Sequence, residues 1–177
     1  GKDLIGIEIP NEKRATVHLK EILESDAFDE YKGSLRLAMG RDVAGEAFVA
    51  NLEEMPHLLI AGATGSGKSV GMNTFLVSLL YQNSPADLKM ILIDPKVVEL
   101  KPYNNIPHLL TPVITDATKA LAALRWAVSE MMRRYSELAN KACRNIAEYN
   151  ERSEEKMPKI IIVVDELADL MMRELKK

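Results

Sequence analysis

The residues best suited to chemistry form a glycine-rich run, Gly62-Ala63-Thr64-Gly65-Ser66-Gly67-Lys68-Ser69, that matches G-x-x-x-x-G-K-[ST] in full. Glycines let such a loop curl so that backbone N–H groups point at phosphate oxygens. A helix that begins near Lys68 would aim its positive end at the same oxygens. In this interpretation Lys68 neutralises the β and γ phosphates and Ser69 ligates Mg²⁺. The run therefore predicts binding of ATP and Mg²⁺, and a glycine-rich turn without a ligand is the alternative. The predicted cofactor-binding residues are Gly62, Ala63, Thr64, Gly65, Ser66, Gly67, Lys68, Ser69 and Val70.

A second set of reactive side chains follows the aliphatic run at 160–164, where Asp165 and Glu166 stand side by side. A phosphate loop needs a carboxylate for Mg²⁺ at the end of a neighbouring parallel strand. Asp165 is predicted to hold the metal with Ser69, and a simple turn residue is its alternative. Glu166 is predicted to be catalytic with Lys68, because it can orient or deprotonate an attacking water. The acidic pair favours hydrolysis over transfer of the phosphoryl group to another substrate.

Other polar residues give weaker signals. Asp94-Pro95-Lys96 also follows an apolar run, but aspartate before proline often starts a turn, and Lys96 is favoured as a solvent-facing charge. Roles in packing or on a solvated helix face are favoured for His57, His108, Trp126, Arg133, Arg134 and Arg144.

The elements that must position these residues indicate an α/β fold. Apolar runs at 58–61, 90–93 and 160–164 lack alternation, which is typical of strands buried on both faces of a parallel sheet. Helical spacing at 72–80 and 116–141 predicts two helices between them, and the longer one is expected to pack on the sheet. Thr115 or Asp116 would cap that longer helix.

The N-terminal part has a different pattern. It predicts a short strand at 5–9, a helix at 16–25, a polar stretch at 26–34 and a hairpin between 35 and 49. We predict an N-terminal appendage over 1–34 and a P-loop ATPase core over 35–177.

Composition narrows the class of protein. The 177 residues are 47% hydrophobic and 28% charged, enough for a folded core, and their net charge of −3 argues against coating of nucleic acid by bulk attraction. The single cysteine, Cys143, excludes an internal disulfide. No apolar run approaches the roughly 18 residues that a membrane span needs.

Several longer strings resemble the FtsK/SpoIIIE family of DNA-translocating ATPases. They are Gly6-Ile7-Glu8-Ile9-Pro10-Asn11, Met55-Pro56-His57-Leu58-Leu59, Gly62 to Met72, Ile93-Asp94-Pro95-Lys96, Ile106-Pro107-His108-Leu109-Leu110-Thr111, Arg133-Arg134-Tyr135, and Val164-Asp165-Glu166-Leu167-Ala168-Asp169-Leu170-Met171-Met172.

The resemblance implies a RecA-like ATPase core, assembled as a hexameric ring around double-stranded DNA, that moves DNA in chromosome segregation and cell division. It also implies a cytoplasmic motor, with membrane anchoring as an option for the full-length protein and no membrane contact from this segment. The family's arginine finger and channel loops come after its acidic pair, so we expect the core to be incomplete at its C-terminal end. Such a piece is expected to hydrolyse ATP weakly on its own.

Three other functions are the alternatives to this motor, and the first of them shares all of its catalytic residues. A related ring ATPase would move protein or single-stranded DNA in secretion or conjugation. An assembly module would bind ATP without useful turnover. A small-molecule kinase would transfer the phosphoryl group and form no ring.

Overall fold

The computed structural model describes Ile7, Ile9 and residues 15–174, so the predicted strand at 5–9 lies largely outside the described residues. The chain divides into two compact units, one ending at Tyr81 and the other beginning at Gln82. The first has helices α1 (Leu19–Leu23) and α2 (Asp26–Glu30), strands β1 (Arg36–Arg41) and β2 (Ala47–Asn51), and helix α3 (Lys68–Gln82), whose last residue opens the second unit. The second continues with strand β3 (Leu88–Ile93), a 3₁₀ turn (Lys101–Tyr103), helices α4 (Ala117–Asn140) and α5 (Ile146–Arg152), strand β4 (Lys159–Val164) and helix α6 (Leu167–Glu174).

The first unit is built on the predicted hairpin, which is confirmed: β1 and β2 pair antiparallel. The helix predicted at 16–25 is confirmed in a shorter form as α1, and α2 follows it within the polar stretch at 26–34. Ser25 separates the two helices, because its hydroxyl donates to the Ile22 carbonyl and accepts from the Phe28 N–H. Both helices share a core with the hairpin, formed by Ile22, Leu23, Phe28, Ala38 and Val49. The domain boundary at residue 34 stays a prediction.

Helix α3 confirms the helix predicted from the spacing at 72–80, and it is tied to the hairpin. Ser78 is fully buried, and its hydroxyl accepts from the Ala38 N–H at 3.2 Å while donating to the Thr74 carbonyl at 2.7 Å. The Phe28 and Tyr81 rings meet edge to face with centroids 6.3 Å apart. These contacts fix the helix whose first turn follows the glycine-rich run.

The strand predicted at 58–61 is wrong. In the part of the chain that the structure describes, these residues belong to no sheet, and Leu58 and Leu59 are 41% and 77% exposed. Apolar composition alone does not form a strand, because a parallel strand is stabilised by hydrogen bonds to a neighbouring strand at its edge.

The second unit contains the two other predicted strands, which are confirmed. β3 pairs parallel with β4, with Ile93 opposite Val164. On the other edge of β3, Leu109 and Ile114 form single parallel bridges with Met90 and Ile93, a pairing that the sequence analysis did not predict. β3 is therefore hydrogen-bonded on both edges and almost fully buried, as its unbroken apolar run indicated.

Helix α4 confirms the long helix predicted at 116–141, and Asp116 is its N-cap, accepting from the Lys119 N–H at 3.0 Å. Only its first half packs as predicted, where Ala120 joins the cluster of Ile91, Ile93 and Ile114. Three later members of its apolar stripe, Val128, Met131 and Tyr135, are exposed, so the predicted packing on the sheet holds for the first half of the helix.

Arg133 and Arg134 face a carboxylate on their own helix. Both guanidinium groups bind Glu130, and Arg134 also donates to the Pro158 carbonyl at 2.7 Å, just before β4. The hydrogen bond from Arg133, followed by that from Arg134, outweighs burial and lowers the pKa of Glu130 from 4.5 to about 2. Arg134 thus links α4 to the start of β4 through the Pro158 carbonyl, and its ion pair with Glu130 holds it in place.

We expect Glu130→Gln to lower the free energy of unfolding by about 1 kcal/mol at pH 7, a value reduced for solvent screening of the exposed Arg133. Because the folded pKa is depressed, this stabilisation is fully present above pH 4.5 and is lost as the pH falls towards 2. Urea unfolding at several pH values measures it, and the gap between wild type and variant should narrow below pH 4.5. Glu24→Gln, which removes an exposed pair with Lys20, is the matched control and should show little loss at any pH. A gap that stays constant with pH would contradict the assignment.

Candidate functional site

The glycine-rich run forms an exposed loop over 62–67 that leads directly into α3. The Ser66 N–H donates to the Ala63 carbonyl at 3.0 Å, which closes a tight turn inside the loop. Gly65 and Gly67 have φ angles of +80° and +94°, a region that side chains disfavour. A Cβ at either position would meet open space, so the reason for glycine is the backbone conformation.

Gly62 is required for a different reason. A Cβ at this position would lie 2.2 Å from the Ser66 Oγ and 3.2 Å from the Ser66 Cβ. The Ser66 side chain therefore folds back over Gly62, and the loop closes on itself. A phosphate cradle is built from a tightly curled loop of this kind, whose backbone N–H groups bind phosphate oxygens.

Lys68, Ser69 and Val70 form the first residues of α3. The Gly71 N–H donates to the Gly67 carbonyl at 2.8 Å, so the helix is already hydrogen-bonded at this point. The Lys68 and Ser69 side chains are half-buried and have contacts within the protein, whereas Val70 is 70% exposed. The structure thus places the predicted lysine and hydroxyl at a helix N-terminus, where anions are stabilised.

The acidic pair lies at the end of β4 in the second unit. The Asp165 N–H donates to the Ile93 carbonyl at 2.9 Å, which extends the parallel ladder by one residue, and the Asp165 side chain is buried. Glu166 has a φ of +57°, a left-handed conformation that is uncommon outside glycine. Its carbonyl accepts from the Asp169 N–H at 3.1 Å, at the start of α6. The tight bend after the strand therefore sets the backbone position from which the Glu166 side chain extends.

Lys96 is a residue of this region that the sequence analysis undervalued. Its ammonium lies 3.2 Å from the Glu166 Oε2 and 3.7 Å from the Asp169 Oδ2. The hydrogen bond to Glu166, aided by the charge of Asp169, raises the pKa of Lys96. Lys96 is a half-exposed charge, as its favoured interpretation predicted, and its two acidic partners are the part that was not predicted. The signal was available, because Lys96 and Glu166 each follow one of two strands predicted to be parallel.

Asp94 orders the loop that carries Lys96. Its Oδ2 accepts from the N–H groups of Glu99 and Leu100, both at 3.0 Å. Burial favours the neutral acid, but the backbone N–H groups of residues 97–100 outweigh it and lower the pKa of Asp94. This fully buried carboxylate thus shapes the turn, as the simpler of its two interpretations predicted.

His108 and the acidic side chains are the remaining candidates for metal ligands in the described part of the chain. His108 is buried, and its Nε2 lies 2.9 Å from the Asn83 carbonyl, a contact that fits the predicted packing role. Among the residues described, no three histidine, cysteine, aspartate or glutamate side chains gather into a metal site. A magnesium site that draws on one carboxylate, one hydroxyl and substrate phosphates is compatible with that finding.

A model of the FtsK/SpoIIIE family matches residues 18–177. The chain belongs to the FtsK/SpoIIIE family. It is 58% identical over 97% of its length to the DNA translocase FtsK of Caldanaerobacter subterraneus subsp. tengcongensis, covering 24% of that protein. It is 54% identical over 97% of its length to the DNA translocase FtsK of Campylobacter jejuni, covering 19%. The chain thus spans about a quarter or less of these relatives.

A solved structure extends the comparison to the fold. The monomer of the pCW3 conjugation coupling protein TcpA with ATPgS matches with a TM-score of 0.68 and 32% identity, over 81% of this chain and 39% of that one. The predicted α/β fold of a P-loop ATPase core is therefore confirmed. Among the described residues, no helix is both long and apolar enough to cross a membrane.

The loop geometry predicts that alanine at Gly62 weakens nucleotide binding and that alanine at Gly71 does not. Gly62→Ala should weaken nucleotide binding about fivefold, because the new Cβ forces Ser66 from its rotamer at a cost of about 1 kcal/mol. Gly71→Ala is the matched control: its Cβ meets nothing within 4 Å, so affinity should hold. The helix should gain about 0.5–1 kcal/mol of stability from the alanine.

Titration with a fluorescent ATP analogue and thermal unfolding check both variants. Equal affinities for Gly62→Ala and Gly71→Ala would contradict the tight closure of the loop. The double variant Gly62→Ala/Ser66→Ala should recover part of the lost affinity, since the closest contact in the altered loop would be gone.

Proposed function

We propose that this chain is part of the motor of an ATP-driven translocase that moves double-stranded DNA through a hexameric ring during chromosome segregation and cell division. The observation that supports it best is a complete phosphate loop and acidic strand end in a chain 58% identical to a DNA translocase FtsK. Because the chain spans 24% of that relative, the activity and partners of the whole protein are part of the proposal.

Binding of ATP is assigned to the loop and the start of α3. Backbone N–H groups of residues 62–70 would hold the phosphate oxygens, and the fold of the Ser66 side chain over Gly62 supports this. Lys68 would neutralise the β and γ phosphates. The residues fit a magnesium ion, which Ser69 and Asp165 would hold, and such an ion would neutralise charge on the phosphates.

Hydrolysis is assigned to Glu166. A carboxylate placed at the end of a strand can orient an attacking water and accept its proton. Its left-handed backbone and its ion pair with Lys96 restrict the directions that the carboxylate can take. Full turnover would also need groups beyond the acidic pair, so this piece alone should hydrolyse ATP weakly. An arginine finger of the kind that the family resemblance implies is worth about 10³ to 10⁵ in turnover.

DNA contact is assigned to the assembled ring. A chain with a net charge of −3 has no bulk attraction for phosphates, so a monomer should bind duplex weakly. A ring can concentrate the few cationic groups that face its channel, and affinity should then fall as salt rises.

A related motor for single-stranded DNA or protein is the second candidate, favoured by the match to a conjugation coupling protein at 32% identity. It would use the same loop, metal ligand and Glu166. The nature of the polymer that stimulates ATP hydrolysis separates the two candidates.

The test is the ATPase rate of the full-length protein against the concentration of duplex DNA. We expect duplex to stimulate turnover more than single-stranded DNA does. Glu166→Gln should keep ATP affinity and lose about 10²- to 10⁴-fold in turnover, because water loses its acceptor. Glu137→Gln, which alters an exposed carboxylate paired with Arg133, is the control and should retain activity.

Two results would overturn parts of this proposal. Absence of duplex stimulation at any salt concentration would remove double-stranded DNA as the substrate. Unchanged turnover in Glu166→Gln would leave an ATP-binding module and remove the motor.

A further inference from the structure

The loop after β3 holds Lys96 in a fixed place. Asp94 at the head of this loop is fully buried and binds the N–H groups of Glu99 and Leu100. The Val97 N–H donates to the Asp94 carbonyl at 3.2 Å, which closes a turn around Lys96. The Lys96 ammonium therefore extends from an ordered turn beside the end of β4.

That ammonium is shared between two carboxylates. It lies 3.2 Å from the Glu166 Oε2 and 3.7 Å from the Asp169 Oδ2, which belongs to the first turn of α6. Since one cation serves two anions, a stronger contact of the ammonium with Asp169 weakens its contact with Glu166, and the reverse also holds. Both partners raise the pKa of Lys96, so the cation stays charged.

The contact with Lys96 competes with the chemistry assigned to Glu166. A general base must come within about 2.6–3.2 Å of the water that it activates. A carboxylate oxygen that accepts a charge-assisted hydrogen bond is directed towards its donor and is a weaker acceptor for water. Lys96 thus draws one oxygen of Glu166 towards the loop after β3.

We propose that Lys96 is a positioning residue that restrains Glu166: its ammonium competes with the attacking water for the Glu166 carboxylate, while Asp169 competes with Glu166 for the ammonium. This inference rests on the proposed role of Glu166 in hydrolysis. It adds a residue pair that sets the basal rate of that reaction.

The exposure of the pair sets the size of the effect. The Lys96 and Glu166 side chains are 49% and 33% exposed, so water screens their attraction. An exposed ion pair of this kind shifts an equilibrium by up to about fivefold. Lys96 therefore biases the carboxylate without locking it, and Asp169 receives the ammonium when Glu166 leaves.

The experiment measures ATPase turnover and KM for ATP in the full-length protein without DNA. Lys96→Met should raise kcat about two- to fivefold, because Glu166 loses its competing partner. Asp169→Asn should lower kcat by a similar factor, because the ammonium then turns to Glu166. KM should change less than twofold in both variants. Lys96→Arg should have the wild-type kcat, because a cation remains at this position.

Lys89→Met is the matched control. Lys89 lies on β3, its ammonium donates to the Pro107 carbonyl at 3.0 Å, and its loss should leave kcat unchanged. Lys96→Met and Asp169→Asn changing kcat in the same direction, or Lys96→Met lowering it, would overturn the inference. A wild-type protein without ATPase activity, or one in which Glu166→Gln changes nothing, would instead overturn the proposed function. The two failures are therefore distinguishable.

Discussion

The parallel pairing of β3 with β4 is the constraint on which the second unit depends. With Ile93 opposite Val164, the chains leave the sheet side by side, and the Asp165 N–H continues the ladder to the Ile93 carbonyl. One strand end then carries Asp94 and Lys96, and the other carries Asp165 and Glu166. A shift of register by one residue would turn these side chains to opposite faces and separate the ammonium from its acidic partners.

The loop in the first unit depends on a local constraint. Its conformation follows from Gly62, Gly65 and Gly67, and the helix after it is held by Ser78 against the hairpin. The phosphate loop is therefore a property of a short stretch of sequence, whereas the acidic pair depends on two strands that lie far apart in the chain. This difference explains why the loop motif is so easily identified and why the surroundings of Glu166 are not.

The sequence predicted what periodicity and composition determine: the hairpin, α3, α4 with its Asp116 cap, and the strands that became β3 and β4. It failed where pairing decides the outcome, since residues 58–61 are apolar but belong to no sheet in the described chain. Ser25 caps α2, a second short helix that the periodicity did not predict, and separates it from α1. Predicting the partners of Lys96 would have required the register of β3 against β4 as well as the motif.

The most direct test of the account is a structure of the full-length protein with a magnesium-bound, slowly hydrolysed ATP analogue. We expect a triphosphate held by N–H groups of residues 62–70, with one magnesium ion that Ser69 ligates and that Asp165 binds directly or through water. A nucleotide bound elsewhere, or a magnesium ion that contacts Ser69 while Asp165 lies remote from it, would contradict the central claim.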